Sequence, residues 1–284
     1  MIDLHTHSTA SDGTLTPAEL VALAEELPLE AIALTDHDTT SGLEAFLEAG
    51  AGKSVKTVPG VEVAASWYGG SLHIVGLHVQ PESETLNSLL QTIRQNREIR
   101  NRKILDRLGS LGIKLTYEEV QEAGGDHVIG RPHFAAALIR KGVCSNPSEA
   151  FQKYLGRDAA AYVPRYLPLP EEAIRTVHEA GGLAIWAHPA GGPHASQPAR
   201  IRQVARHLKR LGLDGVELFY PDHSEDDEHA IRAICGALDL AFSGGSDFHG
   251  GNMPGIELGT GRGTLNIPLE YLTILEQRLQ ARRG

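Results

Sequence analysis

Seven short apolar segments, most of them separated by helical patterns, constrain the fold of this chain more than any other feature. The segments span residues 2–4, 31–34, 58–63, 72–79, 183–187, 215–219 and 241–244. Short apolar runs that alternate with amphipathic helices are typical of βα units around a parallel sheet. Seven strands with helices between most of them predict an α/β barrel.

The middle of the chain interrupts this alternation. Residues 93–161 form one helical pattern after another with no convincing strand, which predicts an inserted helical domain between two parts of the barrel, residues 1–92 and 162–284. From Arg94 to Arg165 there are 13 Lys and Arg against 8 Asp and Glu, although the whole chain has a net charge of −10. A run of charge is usually a solvated helix face, and this is the expectation unless an anionic substrate is implied elsewhere.

Composition excludes several classes of protein. No apolar run approaches the ~18 residues of a membrane-spanning helix, and residues 1–7 have neither a basic flank nor an apolar signal stretch. We therefore expect a cytoplasmic protein with no membrane role. Cys144 and Cys235 lie far apart and match no zinc-binding spacing, which predicts buried, unreactive thiols.

Side chains that can bind metal lie within or directly after most of the predicted strands. In chain order they are His5, His7, Asp36, His37, Glu62, His73, His188, Asp247 and His249. The carboxyl ends of the strands of a parallel α/β barrel open onto one face. Residues scattered over most of the chain are therefore expected to converge on one pocket.

Two pairs of these residues have the spacing of metal chelators. His5 and His7, like Asp247 and His249, alternate along an extended segment and so point the same way. A single histidine is more often structural than a ligand, but two such pairs together with further ligands at strand ends indicate a metal site. With Asp12 the candidate ligands are His5, His7, Asp12, His37, Glu62, His73, His188, Asp247 and His249.

Nine candidate ligands exceed what one tetrahedral ion requires and predict two or three divalent cations. Imidazole and carboxylate donors suit zinc, manganese or iron better than magnesium alone, and the identity of the metal stays open. Three divalent ions among three carboxylates would leave about three positive charges, which attract a phosphate dianion. Hydrolysis at phosphorus is the reaction class that this site favours.

The motifs resemble those of the PHP (polymerase and histidinol phosphatase) superfamily of metal-dependent phosphoesterases. The matching segments are His5-Thr6-His7 with Ser11-Asp12-Gly13, Thr35-Asp36-His37-Asp38, Gly60-Val61-Glu62, His73, Ala187-His188-Pro189 and Ser246-Asp247-Phe248-His249. The resemblance implies a distorted seven-stranded (β/α) barrel, the TIM-like PHP fold. It implies one metal on His5, His7, Glu62 and Asp247, a second on Glu62, His73 and His188, and a third on Asp12, His37 and His249.

The inserted helical segment indicates which branch of the PHP superfamily this chain resembles. Gly130-Arg131-Pro132-His133-Phe134 looks like the branch that acts on 3′,5′-nucleoside bisphosphates such as pAp and also trims short RNA from the 5′ end. This implies that a metal-bound hydroxide attacks phosphorus, with His5, His7, Glu62, His188 and Asp247 as the catalytic set. Arg131 and His133 would hold substrate phosphate, with Arg157, Arg165 and His223 as further candidates. The alternative role for Arg157 and Arg165 is a surface salt bridge.

Two other functions remain open at this point. One is a different phosphatase on the same metal centre, such as one that acts on histidinol phosphate. The other is a non-catalytic binder of metal or nucleotide. No obligatory protein partner is inferred, and the six other histidines, His78, His127, His178, His194, His207 and His229, are expected to be structural.

Overall fold

The computed structural model describes residues 1–27, 29–68, 70–124, 129–191 and 197–283. The chain forms two compact units. Met1–Leu90 together with Leu167–Gly284 form the barrel unit, and Gln91–Tyr166 form the helical unit. Among the helices in these ranges, none combines the length and the apolar character that a membrane crossing requires.

The barrel unit contains one seven-stranded sheet whose strands are neighbours in chain order. The strands are β1 (Ile2–Asp3), β2 (Ala31–Leu34), β3 (Lys56–Trp67), β4 (Gly70–Leu77), β5 (Leu183–Trp186), β6 (Gly215–Phe219) and β7 (Ala241–Gly244). Every residue of β2 and β5 is buried, as expected for strands covered on both faces. The predicted seven-stranded barrel is therefore confirmed.

The expectation that all strands are parallel is wrong for β4, which runs antiparallel to both β3 and β5. Trp67 pairs with Gly70, so only two residues separate β3 from β4. A parallel crossover needs about a dozen residues or more, whereas a two-residue connection suits a hairpin. The reversal has a functional consequence. His73 lies near the start of β4, opposite Ala64 of β3, and so reaches the same rim as the residues that follow the parallel strands.

Helices connect most of the strands and make up the helical unit. They are α1 (Pro17–Glu26), α2 (Leu43–Gly50), α3 (Glu84–Ser110), α4 (Tyr117–Gly124), α5 (Arg131–Arg140), α6 (Pro147–Ala150), α7 (Pro170–Glu179), α8 (Pro198–Arg210), α9 (Glu225–Leu238) and α10 (Glu270–Arg283). Helix α1 begins with a complete capping box between Thr16 and Glu19. The helical unit has its own core, in which Leu108, Val120 and Phe134 are fully buried.

The two ends of the barrel sequence meet directly after β1 and β7. The backbone N–H of Leu4 donates to the Gly244 carbonyl at 3.1 Å, and the N–H of Asp247 donates to the His5 carbonyl at 2.9 Å. Gly245 lies at this junction, where a Cβ atom would come within 2.4 Å of the His5 nitrogen. Only glycine allows the two segments to approach this closely.

Candidate metal centre

Strands β3 and β4 together with the loops at the rim bring all nine candidate ligands of the sequence analysis into one cluster. Three groups within it have donor atoms close enough together to hold an ion. They are His5, His7 and Asp247; His37, Glu62 and His73; and His7, Asp12, His37 and His249. His188 joins them through Glu62, 3.1 Å from its Nε2.

Glu62 is the central carboxylate and is almost fully buried. Its Oε1 lies 2.8 Å from His73 Nδ1 and 3.1 Å from His188 Nε2. Its Oε2 lies 2.7 Å from His37 Nδ1 and 3.5 Å from the Nε2 atoms of both His5 and His7. A carboxylate with imidazoles on both oxygens has the arrangement that a bridging ligand between two ions requires.

Asp247 closes the other side of the cluster. Its Oδ1 lies 3.1 Å from His7 Nε2 and 3.4 Å from His5 Nε2. The backbone of Asp247 is left-handed, with φ of 55°, as is that of His188, with φ of 34°. Non-glycine residues in this region cost about 1–3 kcal/mol and persist where the surrounding structure holds them, typically at functional sites.

Asp12, in the loop after β1, lies beside His37 and His249 at a second edge of the cluster. Its Oδ1 lies 3.3 Å from His249 Nε2, and its Oδ2 lies 3.7 Å from His37 Nε2. The ring of His249 stacks on that of His7, with centroids 4.1 Å apart. Asp12 is about one-third exposed, which makes this the most open part of the centre.

Burial and charge act against each other on the pKa values in this cluster. Burial favours a neutral Glu62, but His37, His73 and His5 hold its pKa well below the ordinary value. Burial would lower the pKa of His37, but Glu62 and Asp12 raise it to about 10. His7 behaves differently, because burial and the neighbouring imidazoles lower its pKa to about 4. His7 is therefore neutral at pH 7, the form in which an imidazole binds metal.

Glu217 supports the centre from β6 and was not identified by sequence reasoning. Its Oε1 accepts a hydrogen bond from His5 Nδ1 at 2.7 Å, and its Oε2 accepts one from the His188 backbone N–H at 2.6 Å. The first bond fixes the proton on Nδ1 and leaves the Nε2 lone pair facing the cluster. The available signal was a carboxylate in the middle of the apolar segment 215–219.

Asp3 and Tyr220 are two further supporting residues that the sequence analysis missed. The buried Asp3 carboxylate accepts hydrogen bonds from the backbone N–H groups of Ser246 at 2.9 Å and Gly259 at 2.8 Å. The Tyr220 hydroxyl donates to Asp247 Oδ2 at 3.1 Å. Asp3 thus fixes the segment that carries Asp247, and Tyr220 orients the carboxylate itself.

Several donor atoms of the cluster lack a well-aligned hydrogen bond. His5 Nε2, both ring nitrogens of His7 and Glu62 Oε2 are buried and form none within the described residues, although His37 Nδ1 lies 2.7 Å from Glu62 Oε2. Buried polar atoms are normally hydrogen-bonded, because an unsatisfied one costs about 1–3 kcal/mol. Bound cations would satisfy His5 Nε2, Glu62 Oε2 and one nitrogen of His7, so the residues present fit a metal.

The predicted phosphate-binding residues of the insertion all lie in the helical unit. The Arg131 guanidinium lies over the rings of Phe151 and Tyr162, 5.7 Å from each centroid. His133 Nδ1 accepts a hydrogen bond from the Gly130 N–H at 2.9 Å, at the start of α5. Arg157 is exposed.

The expectation of a solvated face for the basic run is wrong for Arg97 and Arg100, which are only 8% and 7% exposed. Burial and three nearby guanidinium groups, those of Arg131, Arg165 and Arg97, lower the pKa of Arg100 to about 10. Arg100 donates to the Val163 carbonyl at 3.5 Å and to the Asn101 side chain at 3.0 Å, and the charge count alone cannot reveal such contacts. We call Arg97, Arg100, Arg131 and Arg165 the arginine cluster.

His223 packs beside the metal centre without belonging to the three ligand groups. Its Nδ1 donates to the Leu218 carbonyl at 2.9 Å, and its ring lies 5.2 Å from that of Tyr220. Its Nε2 is buried without a hydrogen bond among the described residues. Of the histidines expected to be structural, His178 binds Asp214 at 2.9 Å, whereas His127 and His194 lie outside the described residues.

The profile of the PHP domain family matches residues 3–146 of this chain. The match covers half of the chain and contains six of the nine candidate ligands. The chain belongs to the PHP domain family. The resemblance inferred from the separate motifs is therefore confirmed.

Relatives of this PHP protein match nearly its whole length. A 5′-3′ exoribonuclease of Haemophilus influenzae is 36% identical over 247 residues, which cover 87% of this chain and 89% of the relative. A 3′,5′-nucleoside bisphosphate phosphatase of Chromobacterium violaceum is 34% identical over 259 residues, which cover 91% and 90%. A solved structure from Bifidobacterium adolescentis, described as a metal-dependent phosphoesterase, has a TM-score of 0.78 at 30% identity over 98% of this chain and 96% of its own.

Proposed function

We propose that this chain is a metal-dependent phosphoesterase that removes phosphate from 3′,5′-nucleoside bisphosphates such as pAp and hydrolyses short RNA from its 5′ end. The observation that carries the proposal is the set of buried, unsatisfied donor atoms around Glu62. The activities named for the relatives from Haemophilus influenzae and Chromobacterium violaceum favour nucleotide substrates. These named activities favour nucleotide substrates over histidinol phosphate, and they favour catalysis over binding without turnover.

We assign two or three divalent ions to the centre, with zinc, manganese or iron as the candidates. His5, His7 and Asp247 form one ligand set, His73 and His188 a second, and Asp12, His37 and His249 a third, with Glu62 between the first two. A neutral imidazole has a single nitrogen lone pair, so His7 serves only one ion although both of its nitrogens face carboxylates. Metal ions bound there supply a Lewis acid and an activated water for attack on phosphorus.

The protein side chains keep the donors in place. Glu217 holds the tautomer of His5, and the Tyr220 hydroxyl occupies Asp247 Oδ2, so that Oδ1 stays directed at His5 and His7. Both interactions restrict the first ligand set to one geometry. A preorganised set of this kind spends no energy on rearrangement during the reaction.

We assign phosphate recognition in the helical unit to the arginine cluster, with His133 as a further candidate. The guanidinium groups of Arg97, Arg131 and Arg165 lie near enough to Arg100 to lower its pKa, and a guanidinium binds phosphate through two parallel hydrogen bonds. A substrate with two phosphates gains more from such a cluster than a simple monoester does. Arg157 is exposed and is better suited as a control position than as a ligand. The cytoplasmic location expected from the sequence stays a prediction.

The proposal is tested by metal analysis together with a phosphate-release screen. Protein loaded with manganese, zinc or iron is assayed on adenosine 3′,5′-bisphosphate, AMP, histidinol phosphate and a 5′-phosphorylated trinucleotide. Glu62→Gln is expected to lose bound metal and at least ~100-fold in kcat/KM, since it removes the central carboxylate. Glu44→Gln, an exposed change of the same type on α2, is the control. Fully loaded wild-type protein that releases neither phosphate nor a mononucleotide from any of these compounds contradicts the proposal.

The arginine cluster has its own comparison. Arg131→Met is expected to lower kcat/KM for the bisphosphate by about ten-fold or more and for AMP by less, because it removes a bidentate phosphate ligand. Arg157→Met is the matched exposed control. Equal losses on both substrates would assign Arg131 to the stability of the helical unit instead.

A further inference from the structure

Two adjoining cavities lead away from the metal centre within the barrel unit. The first has a volume of about 390 Å³ and is lined by His73 and His188 of the centre, by Tyr220 and by apolar side chains such as Trp186. The second has a volume of about 950 Å³ and shares Trp67, Arg200 and Val204 with the first. The two cavities therefore adjoin at these three residues, with the metal ligands His73 and His188 lining the first.

The outer cavity has aromatic residues on one side and one face of α8 on the other. The aromatic residues are Trp67 and Tyr68, at the end of β3 and in the turn that follows. After Pro198 and Ala199 in the first turn, the α8 residues that line the cavity recur at the spacing of a single helix face. They are Arg200, Gln203, Val204, His207 and Arg210. We call this cavity the aromatic-basic groove.

The charge of the groove is opposite to that of the whole chain. Over its 13 residues α8 contains five Arg or Lys and no Asp or Glu, whereas the chain has a net charge of −10. Arg200 and Arg210, two of these cations, line the groove. A concentration of positive charge of this kind attracts polyanions.

The aromatic side of the groove presents a flat ring to solvent. Tyr68 is 84% exposed, which is unusual for so large a side chain. Its ring lies 5.4 Å from that of Trp67, which in turn lies 5.2 Å from His207 across the groove. Aromatic rings that alternate with basic side chains are the means by which proteins bind single-stranded nucleic acid without reading its sequence.

We propose that the aromatic-basic groove binds the nucleotides that follow the terminal nucleotide of a single-stranded RNA substrate. Their bases stack on Trp67 and Tyr68, and their phosphates contact Arg200 and Arg210. The groove adjoins the cavity at His73 and His188 and is lined by cations, which favours as its occupant the rest of the anionic molecule whose end is at the metal centre. The assignment of the occupant rests on the proposed function.

The size of the groove predicts how chain length affects binding. Arg200 and Arg210 are separated by about 15 Å along the helix axis, from the rise of an α-helix. A stacked strand advances ~3.4 Å per nucleotide, so the groove accommodates up to about four nucleotides. Affinity and kcat/KM are therefore expected to rise from one nucleotide to about five and then stay constant.

Binding is measured first, because it does not depend on turnover. Fluorescence anisotropy with 5′-phosphorylated, 3′-labelled oligoribonucleotides, in the presence of a chelator, gives the affinity as a function of length and salt. Tyr68→Ala is expected to weaken pentanucleotide binding about five-fold. Arg210→Ala is expected to weaken it by a similar factor and to reduce the slope of log K against log salt by about 0.7, the value for one phosphate contact on a single strand.

Arg202→Ala is the matched control. Arg202 is an exposed cation on the same helix that lines neither cavity, so its removal changes the net charge equally. Circular dichroism and thermal unfolding verify that each variant is folded. Losses for Tyr68→Ala and Arg210→Ala that do not exceed the loss for Arg202→Ala would overturn the proposal. Equal wild-type affinity for an abasic strand of the same length would overturn it too.

Turnover separates a failure of the groove from a failure of the proposed function. If the groove binds RNA, the two groove variants lose the rise of kcat/KM with length, whereas Arg202→Ala retains it. Wild-type protein that binds RNA with the expected variant effects, yet releases neither phosphate nor mononucleotides when loaded with metal, would refute the phosphoesterase and leave the groove supported. Active protein whose groove variants behave like the control would refute the groove alone.

Discussion

Substitution of Glu217 tests directly how the barrel orients the ligands of its metal centre. In Glu217→Gln only one of the two side-chain oxygens remains. The backbone N–H of His188 requires this oxygen as its acceptor. The side-chain NH2 group that the substitution introduces therefore faces His5 Nδ1. His5 must then carry its proton on Nε2, the atom that lies 3.4 Å from Asp247 and 3.5 Å from Glu62. The lone pair that a metal would use is lost.

The expected loss follows from the bond removed. A hydrogen bond to a buried charged group contributes about 1.5–3 kcal/mol, and removal of such a partner from a ligand histidine typically weakens metal binding by about 10–100-fold. We therefore expect the Kd of the tightest site to rise by about 10–100-fold, or roughly 1.4–2.7 kcal/mol. Competition with a chromophoric chelator measures this value, and elemental analysis gives the stoichiometry.

Asp214→Asn is the control for loss of a buried carboxylate. Asp214 directly precedes β6, is 8% exposed and accepts a hydrogen bond from the Ala184 N–H at 2.8 Å. Its removal is expected to lower stability without changing metal affinity. A Glu217→Gln protein that binds metal within about two-fold of wild type, or a control that weakens binding equally, would refute the reasoning.

Three further predictions concern stability and activity. The Asp214 carboxyl has a pKa held below its ordinary 3.8 by partners that outweigh burial. The ionised carboxylate stabilises the fold above pH 3.8, and this contribution is lost as the pH falls through the lower pKa of the folded state. Urea unfolding should therefore show Asp214→Asn to be less stable than wild type by ~2 kcal/mol at pH 7, and this difference should shrink towards pH 3. Tyr220→Phe is expected to lower kcat/KM for the bisphosphate about ten-fold while the melting temperature stays within a few degrees, and unchanged kinetics would contradict the role of the hydroxyl. Gly245→Ala is expected to cost about 3 kcal/mol or more in chemical denaturation because a Cβ meets the backbone of residue 5. Gly236→Ala, in open space on α9, is instead expected to stabilise by roughly 1 kcal/mol, and similar effects of the two changes would exclude this explanation.

The strand positions and the ligands were accessible from sequence because each depends on local pattern. Apolar runs mark buried strands whatever their partners, and His5-Thr6-His7 is a chelating spacing in any extended segment. The direction of β4 was not predicted from the periodicity, because alternation is the same in parallel and antiparallel strands. The short connection before Gly70 was the available signal.

The residues that support the ligands, Glu217 and Asp3, could not be identified from the sequence for a different reason. Glu217 contacts His5 across 212 positions of sequence, and Asp3 contacts Ser246 across 243. No local pattern encodes such pairs, since they depend on how the barrel closes. The burial of Arg100 likewise depends on tertiary packing of the helical unit rather than on the composition of α3.

The meeting of β1 and β7 makes the metal centre depend on contacts between residues that are remote in sequence. Asp247 donates its backbone N–H to the His5 carbonyl, and Asp3 accepts from the N–H of Gly259, 256 positions away. Separation of these two segments would leave most of the imidazoles in place but remove the geometry that holds an ion tightly. Retention of metal and closure of the barrel between β1 and β7 are therefore coupled.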